Sequence, residues 1–242
     1  MGEISDGAGS LSPRLIRQRP NRRPLPRKAI IVVSIRKNGR YPLIHTDSIA
    51  AQIAKLPTRS IVGIDGVDGS GKTTVADKLA PIVESLGRSV LRASVDGFHN
   101  PREVRYSRGR QDPLGYFLDS FDYSLLLDRL IKPFKDGSVT VETRAFDYRT
   151  DSPASETEAV SDPSVLILDG IFLHRDEVFP FLDFSIFLNV AFDISFKRLA
   201  SRDGFHPDPK ADSNSRYYSG QLIYFEKCNP VDRATLVLDN SD

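Results

Sequence analysis

Residues Gly66-Val67-Asp68-Gly69-Ser70-Gly71-Lys72-Thr73 fit the spacing G-x-x-x-x-G-K-[ST]. Those residue types in that order suit one task, the holding of a polyphosphate. Glycines let the backbone turn its N–H groups inward, and a helix beginning at the end of the loop adds a field that favours negative charge. Lys72 then reaches the outer phosphates, and the Thr73 hydroxyl is a ligand for Mg²⁺. The expected nucleotide contacts run through this loop to Thr74. The donor is ATP or GTP, although the N-K-x-D segment with which GTPases usually read guanine is absent.

Further chemistry lies downstream. Asp96 follows the expected strand Ser89–Val95, and Asp169 ends the apolar stretch Val165–Leu168. A carboxylate at the C-terminal edge of a strand beside a phosphate loop is placed to take a proton from an attacking hydroxyl, the role expected of Asp96. Asp169 is expected to hold Mg²⁺, alone or through a bound water. Arg198 and Arg202 lie four apart, so a helix would carry both on one face. Their planar, permanently charged forks suit phosphate oxygens.

The elements that must position these groups follow from periodicity. Ser60–Ile64 predicts a buried strand, Gly66–Gly71 a loop and Thr73–Leu86 a helix that Gly87 stops. Strands are expected over Ser89–Val95, Val139–Thr143, Val165–Leu168, Phe184–Val190 and Leu236–Leu238, with helices over Asp122–Lys132 and Asp193–Arg202. Strands that lack polar alternation and alternate with helices predict an α/β, three-layer P-loop fold with a mainly parallel sheet. Ahead of it, Ile30–Ile35 and Tyr41–Ile44 flank Asn38-Gly39, a hairpin signal, and Asp47 is placed to cap a helix running to Lys55. The expected organisation is a disordered basic arm over 1–28, an extension over 29–58 and a P-loop domain over 59–242, a kinase domain by the resemblance described next.

Six separated motifs carry a family resemblance: I-D-G-V-D-G-S-G-K-T-T, V-D-G-F-H-N-P, R-G-R-Q-D-P-L-G-Y-F-L-D-S-F-D, F-D-Y-R-T-D, L-I-L-D-G-I-F-L and V-L-D-N-S-D. Together, from Arg59 to Asp242, they resemble the uridine kinase/phosphoribulokinase/pantothenate kinase superfamily, and within it bacterial uridine kinase-type proteins. The resemblance implies ATP-dependent transfer of a phosphoryl group to a primary hydroxyl such as the 5′-hydroxyl of uridine. Asp96 would be the general base, and the segment S-F-K-R-L-A-S-R-D would lead into a lid whose arginines, Arg198 and Arg202, close on the phosphates. Arg216 is a weaker candidate of the same kind. His99, Arg108, Arg110, Asp147 and Tyr148 would contact the acceptor, with Asp112, Phe146 and Arg149 as further candidates. Two positions depart from the pattern. Asp169-Gly170 stands where the family often has Glu-Gly, and the base-reading histidine of uridine kinases falls at Asp151, which accepts hydrogen bonds but does not donate them at neutral pH. Other superfamily acceptors remain open: pantothenate, for which D-G-F speaks, nicotinamide riboside or a sugar phosphate. A regulator that binds nucleotide without catalysis is the reading of a different class.

Composition sets outer bounds. The 242 residues suffice for one sizeable domain, and no apolar run is long enough for a membrane span. The lone Cys228 cannot form an intrachain disulfide, which fits a cytoplasmic protein without a secretory signal. Residues 1–40 hold ten basic and two acidic groups, a net +8 against −7 for the rest. With Pro13, Pro20, Pro24 and Pro26 interrupting it, this segment is expected to be a disordered arm rather than a nucleic-acid-binding element. His174 and His206 lack partners at metal-ligand spacing and are expected at the surface or in packing. The expected partners are a nucleoside triphosphate and a small hydroxyl acceptor, with a homo-oligomer left open.

Overall fold

The computed structural model describes residues 32–34 and 46–241. Its strands are β1 (Val32–Ser34), β2 (Ser60–Gly66), β3 (Ser89–Ser94), β4 (Thr140–Asp147), β5 (Ser152–Ala159), β6 (Ser164–Asp169), β7 (Phe184–Asn189) and β8 (Leu236–Asp239). Six of them form a sheet in the order β1-β8-β7-β2-β6-β3, with every neighbouring pair parallel. Alternate residues of β2 and β6 feed two different cores. Ile61, Leu166 and Leu168 pack on one face, while Val62, Ile64, Val165 and Ile167 pack on the other. Burial on both faces explains why these strands carry no polar alternation.

The helices are α1 (Thr46–Ala54), α2 (Lys72–Ser85), α3 (Arg102–Arg105), α4 (Pro113–Asp119), α5 (Tyr123–Leu126), α6 (Lys132–Lys135), α7 (Phe192–Asp203), α8 (Ser215–Cys228) and α9 (Pro230–Arg233). α1 and α2 cover one face through Ile49, Ile53, Leu79 and Val83. Phe117 of α4, Leu126 of α5, Phe134 of α6 and Tyr224 of α8 belong to the core on the other. The helix expected over Asp122–Lys132 is capped by the Asp122 carboxylate, which accepts from Leu125 N at 2.8 Å, and it extends through α6. Pro133 lacks an N–H and crowds the carbonyl four residues back; the helix widens into a π-helical turn over Leu127–Ile131 just before it.

Two expectations change. The strand expected over Val139–Thr143 runs from Thr140 to Asp147 as β4, which pairs antiparallel with β5 in a separate two-stranded sheet. Of the expected N-terminal hairpin, Val32–Ser34 instead extends the main sheet by pairing parallel with β8. Asn38-Gly39, Tyr41–Ile44 and the basic arm lie outside the described residues.

Strand register assembles the chemistry. β6 lies between β2 and β3, so Asp169 is opposite Ile64 on one side and Ser94 on the other. The phosphate loop leaves β2, and Asp96 leaves β3, at that same C-terminal edge, where open parallel sheets bind their ligands.

Candidate active site

The phosphate loop is held open by glycines. Gly69 and Gly71 have φ of 71° and 91°, and a Cβ at Gly69 would lie 2.6 Å from Ser195 O. The amides of Gly66, Asp68 and Ser70 are already taken, by the Asp65 carboxylate, Gln221 Oε1 and Val67 O. Asp68, expected among the nucleotide contacts of the loop, has its amide engaged by Gln221. The amides of Lys72, Thr73 and Thr74, at the uncapped N-terminus of α2, meet no protein acceptor among the described residues. These are the donors that phosphate requires. Lys72 Nζ folds back onto Gly66 O and Val67 O at 3.1 and 2.9 Å.

Thr73 Oγ1 donates to Asp169 Oδ2 at 2.9 Å, so the two oxygen groups expected to hold Mg²⁺ are already side by side. Arg92 donates to the other Asp169 oxygen at 2.9 Å. Burial pushes the Asp169 carboxyl above its ordinary value, against the opposing pull of Thr73 and Arg92. A hydroxyl and a carboxylate beside unsatisfied backbone donors form a set that fits a magnesium-chelated triphosphate.

A cavity of about 850 Å³ adjoins this cradle, large enough for a nucleoside-sized molecule. Asp68, Asp96, Ile171 and Arg202 line both spaces and so mark their junction. The Asp96 carboxylate is exposed and makes no hydrogen bond to protein among the described residues; its amide donates to Ser94 Oγ. His99 stacks between Phe121 and Tyr148, with ring centroids 4.4 and 4.7 Å away. Its Nδ1 donates to Asp96 O, and burial pushes its pKa below the ordinary histidine value, against the opposing pull of Asp96. The three rings form an aromatic wall suited to a flat heterocycle.

The expected acceptor residues divide. His99 and Tyr148 line the cavity, whereas Arg108, Arg110 and Asp147 do not. Asp119 draws Arg108 away, Arg110 stacks over Tyr106, and Asp147 caps Arg149 N while pairing with Arg144. The two arginines of α7 also part company. Arg202 reaches the junction, where Asp203 holds it at 2.7 Å. Arg198 instead braces the loop from behind, donating to Gly69 O and Asn240 O. Arg216 spends its guanidinium on the carbonyls of Arg105, Gly109 and Asp112 and so pins the segment ahead of α4. Asp151 turns from the cavity to Arg102 N and Arg105, and Arg105 itself joins the cavity wall.

The family model for the phosphoribulokinase/uridine kinase family matches residues 61–206. The chain belongs to that family. A uridine kinase of Leuconostoc citreum is 30% identical over 144 residues, 59% of this kinase and 68% of the relative. One of Lactobacillus helveticus is 28% identical over 194 residues, 75% and 86% of the two chains. Among solved structures, a possible uridine kinase from Bacillus stearothermophilus superposes with a TM-score of 0.65 at 27% identity, covering 80% of this kinase and 97% of that chain. Membership makes the protein a phosphotransferase with a hydroxyl acceptor. Among the described residues no helix is long and apolar enough to cross a membrane.

One further constellation is structural. Asp65, His174 and Ser185 stand in line, with His174 Nδ1 2.7 Å from Asp65 and Nε2 3.0 Å from Ser185 Oγ. All three are buried, Ser185 Oγ accepts from Thr235 N, and Tyr224 also donates to Asp65. With its hydroxyl engaged and no opening, this set ties β2, β7 and α8 together beneath the phosphate loop. The kinase thus holds His174 as a buried linchpin, which metal-ligand spacing could not reveal.

Proposed function

We propose that the kinase transfers the γ-phosphoryl group of ATP to a primary hydroxyl, the 5′-hydroxyl of a nucleoside such as uridine. The observation that carries this is the place of Asp96: its unengaged carboxylate sits at the junction of the phosphate cradle and a cavity walled by aromatic rings. In the proposed reaction the acceptor lies along His99, Phe121 and Tyr148 with its hydroxyl at Asp96. Asp96 takes the proton as that oxygen attacks the γ-phosphorus. Lys72 and Arg202 offset charge on the transferred group and on the departing diphosphate. Thr73 and Asp169 would hold Mg²⁺, whose chemistry is to neutralise phosphate charge. A cytoplasmic setting, with its ATP and free nucleosides, accords with this chemistry.

The test is a panel of acceptors: uridine, cytidine, pantothenate, nicotinamide riboside and a sugar phosphate, with ADP release as readout. Uridine or cytidine should support the highest kcat/KM. Asp96→Asn should lower kcat about 10²–10⁴-fold while ATP binding persists, the range for a lost general base. Wild-type turnover in Asp96→Asn would refute the assignment, and absence of acceptor-dependent turnover would favour a nucleotide-binding regulator. An anionic acceptor, pantothenate or a sugar phosphate, has one observation in its favour. Asp151 stands at the family's base-reading position yet is spent on Arg105, so an arginine rather than a histidine faces the acceptor there.

A further inference from the structure

The phosphate loop brings a second carboxylate to the acceptor side of the junction. Asp68 lies inside the loop, yet its side chain lines the large cavity as well as the cradle. One oxygen is occupied, because Tyr116 donates its hydroxyl to Asp68 Oδ2 at 2.6 Å. Its amide is fixed to Gln221 Oε1 at 2.9 Å, so α4 and α8 both hold it in place. Tyr116 is itself locked by edge contacts to Phe172 and Tyr217, with ring centroids 5.3 and 4.9 Å away. The remaining oxygen, Oδ1, accepts no hydrogen bond among the described residues. A half-enclosed carboxylate, rigid and with one acceptor atom to spare beside Asp96, is costly to maintain unless a ligand donates to it.

We propose that Asp68 is a specificity-determining residue that accepts a hydrogen bond from a second hydroxyl of the acceptor, close to the hydroxyl that is phosphorylated. The inference rests on the kinase reading above and deepens it: the acceptor is a polyol, and in a nucleoside the partner is a hydroxyl of the ribose. Division of labour follows from surroundings. Asp96 is exposed and without a hydrogen-bond partner for its carboxylate among the described residues, which suits it to take a proton. Asp68 is clamped by Tyr116 and suited to reading position. Burial pushes the Asp68 carboxyl above its ordinary range, with Asp96 adding to the effect and Lys72 and Tyr116 opposing it. A donor hydroxyl from the ligand relieves that burden, which a ligand lacking the hydroxyl cannot do.

The experiment compares kcat/KM for uridine, 2′-deoxyuridine and 3′-deoxyuridine in wild type, Asp68→Asn, Asp68→Ala and Tyr116→Phe, with the KM for ATP measured alongside. One hydrogen bond to a charged acceptor corresponds to about 10–100-fold discrimination. Wild type should therefore prefer uridine to one of the deoxynucleosides by that factor, and Asp68→Ala should reduce the preference to about twofold with the KM for ATP little changed. Tyr116→Phe, which leaves the carboxylate but frees it, should raise the KM for uridine more than it lowers kcat. A preference that survives Asp68→Ala, or an equal loss on all three acceptors together with a raised KM for ATP, overturns the inference. If the panel shows another acceptor to be preferred, the nucleoside reading fails separately, and the same ratio is measured on that acceptor and its deoxy analogue. A preferred acceptor with a single hydroxyl overturns the role of Asp68 outright.

Discussion

Replacing Gly170 by alanine should damage catalysis from a residue that carries no side chain. Gly170 follows Asp169 at the end of β6, and its backbone lies against Val95, the residue before Asp96. A Cβ built there would be 2.1 Å from Val95 Cγ1, 2.8 Å from Val95 Cβ and 3.4 Å from Val95 N. Rotation of the valine relieves the first contact but not the second, because Cβ moves only with the backbone. Bringing 2.8 Å to an ordinary separation near 3.4 Å shifts one backbone by about 0.6 Å, and the segment that moves carries either Asp96 or Asp169. A misplacement of about 1 Å costs on the order of 10²-fold in rate, so a fall in kcat of about 10–100-fold is expected. Overpacking adds roughly 1–3 kcal/mol of destabilisation. That corresponds to a melting temperature about 2–12 °C lower in a chain of this size. Steady-state kinetics with the preferred acceptor and thermal melting measure both effects. Val95→Ala in the same chain removes the 2.1 Å contact and should recover part of each loss. Wild-type kcat and melting temperature in Gly170→Ala, or losses that simply add in the double variant, would refute the packing argument.

Other predictions concern groups around the phosphate loop. Asp68→Asn should stabilise the protein at pH 7.5. The folded protein raises this carboxyl, so the favourable contribution of the proton is complete below its unfolded value near 3.8 and lost as pH climbs through the folded value. The melting-temperature gain of the variant should accordingly shrink toward pH 4; a gain independent of pH would contradict the shift. Tyr224→Phe deletes a hydroxyl that donates to buried Asp65 and accepts from His174 N at 3.0 Å. A hydrogen bond to a charged group contributes about 1.5–3 kcal/mol, so urea denaturation should show a loss of that size, and a loss under about 0.5 kcal/mol would count against the network.

What the sequence disclosed was chemistry confined to one strand end at a time. The loop, Asp96 and Asp169 each follow a strand legible in the sequence, and a parallel sheet places such strand ends on one edge, so their neighbourhood follows from topology. Side-chain destinations were harder. Arg108 and Arg110 sit in a motif of the family, yet nothing in their spacing says that Asp119 will capture one and Tyr106 the other. Arg198 and Arg202 share a helix face, but the loop passes beneath the first and the cavity opens beside the second. α8 escaped notice because its buried side mixes Arg216 and Gln221 with Gly220 and Tyr224, which blurs an apolar stripe. β5 reads Ser152-Pro153-Ala154-Ser155-Glu156-Thr157-Glu158-Ala159 and is almost wholly exposed, so only its pairing with β4 makes it a strand. Tyr116 stood inside a recognised motif, but its partnership with Asp68 spans 48 residues and has no local signature.

Asn240 ties the tail of β8 to the loop, donating from Nδ2 to Ser70 O at 2.7 Å across 170 residues of chain. Arg198 completes the same clasp. During synthesis, a nascent chain that has emerged only as far as residue 230 contains every glycine and the lysine, but not the clasp that sets their conformation. Contacts of such long sequence separation close late. A loop complete in sequence is thus incomplete in conformation until β8 and Asn240 have joined the sheet beside it.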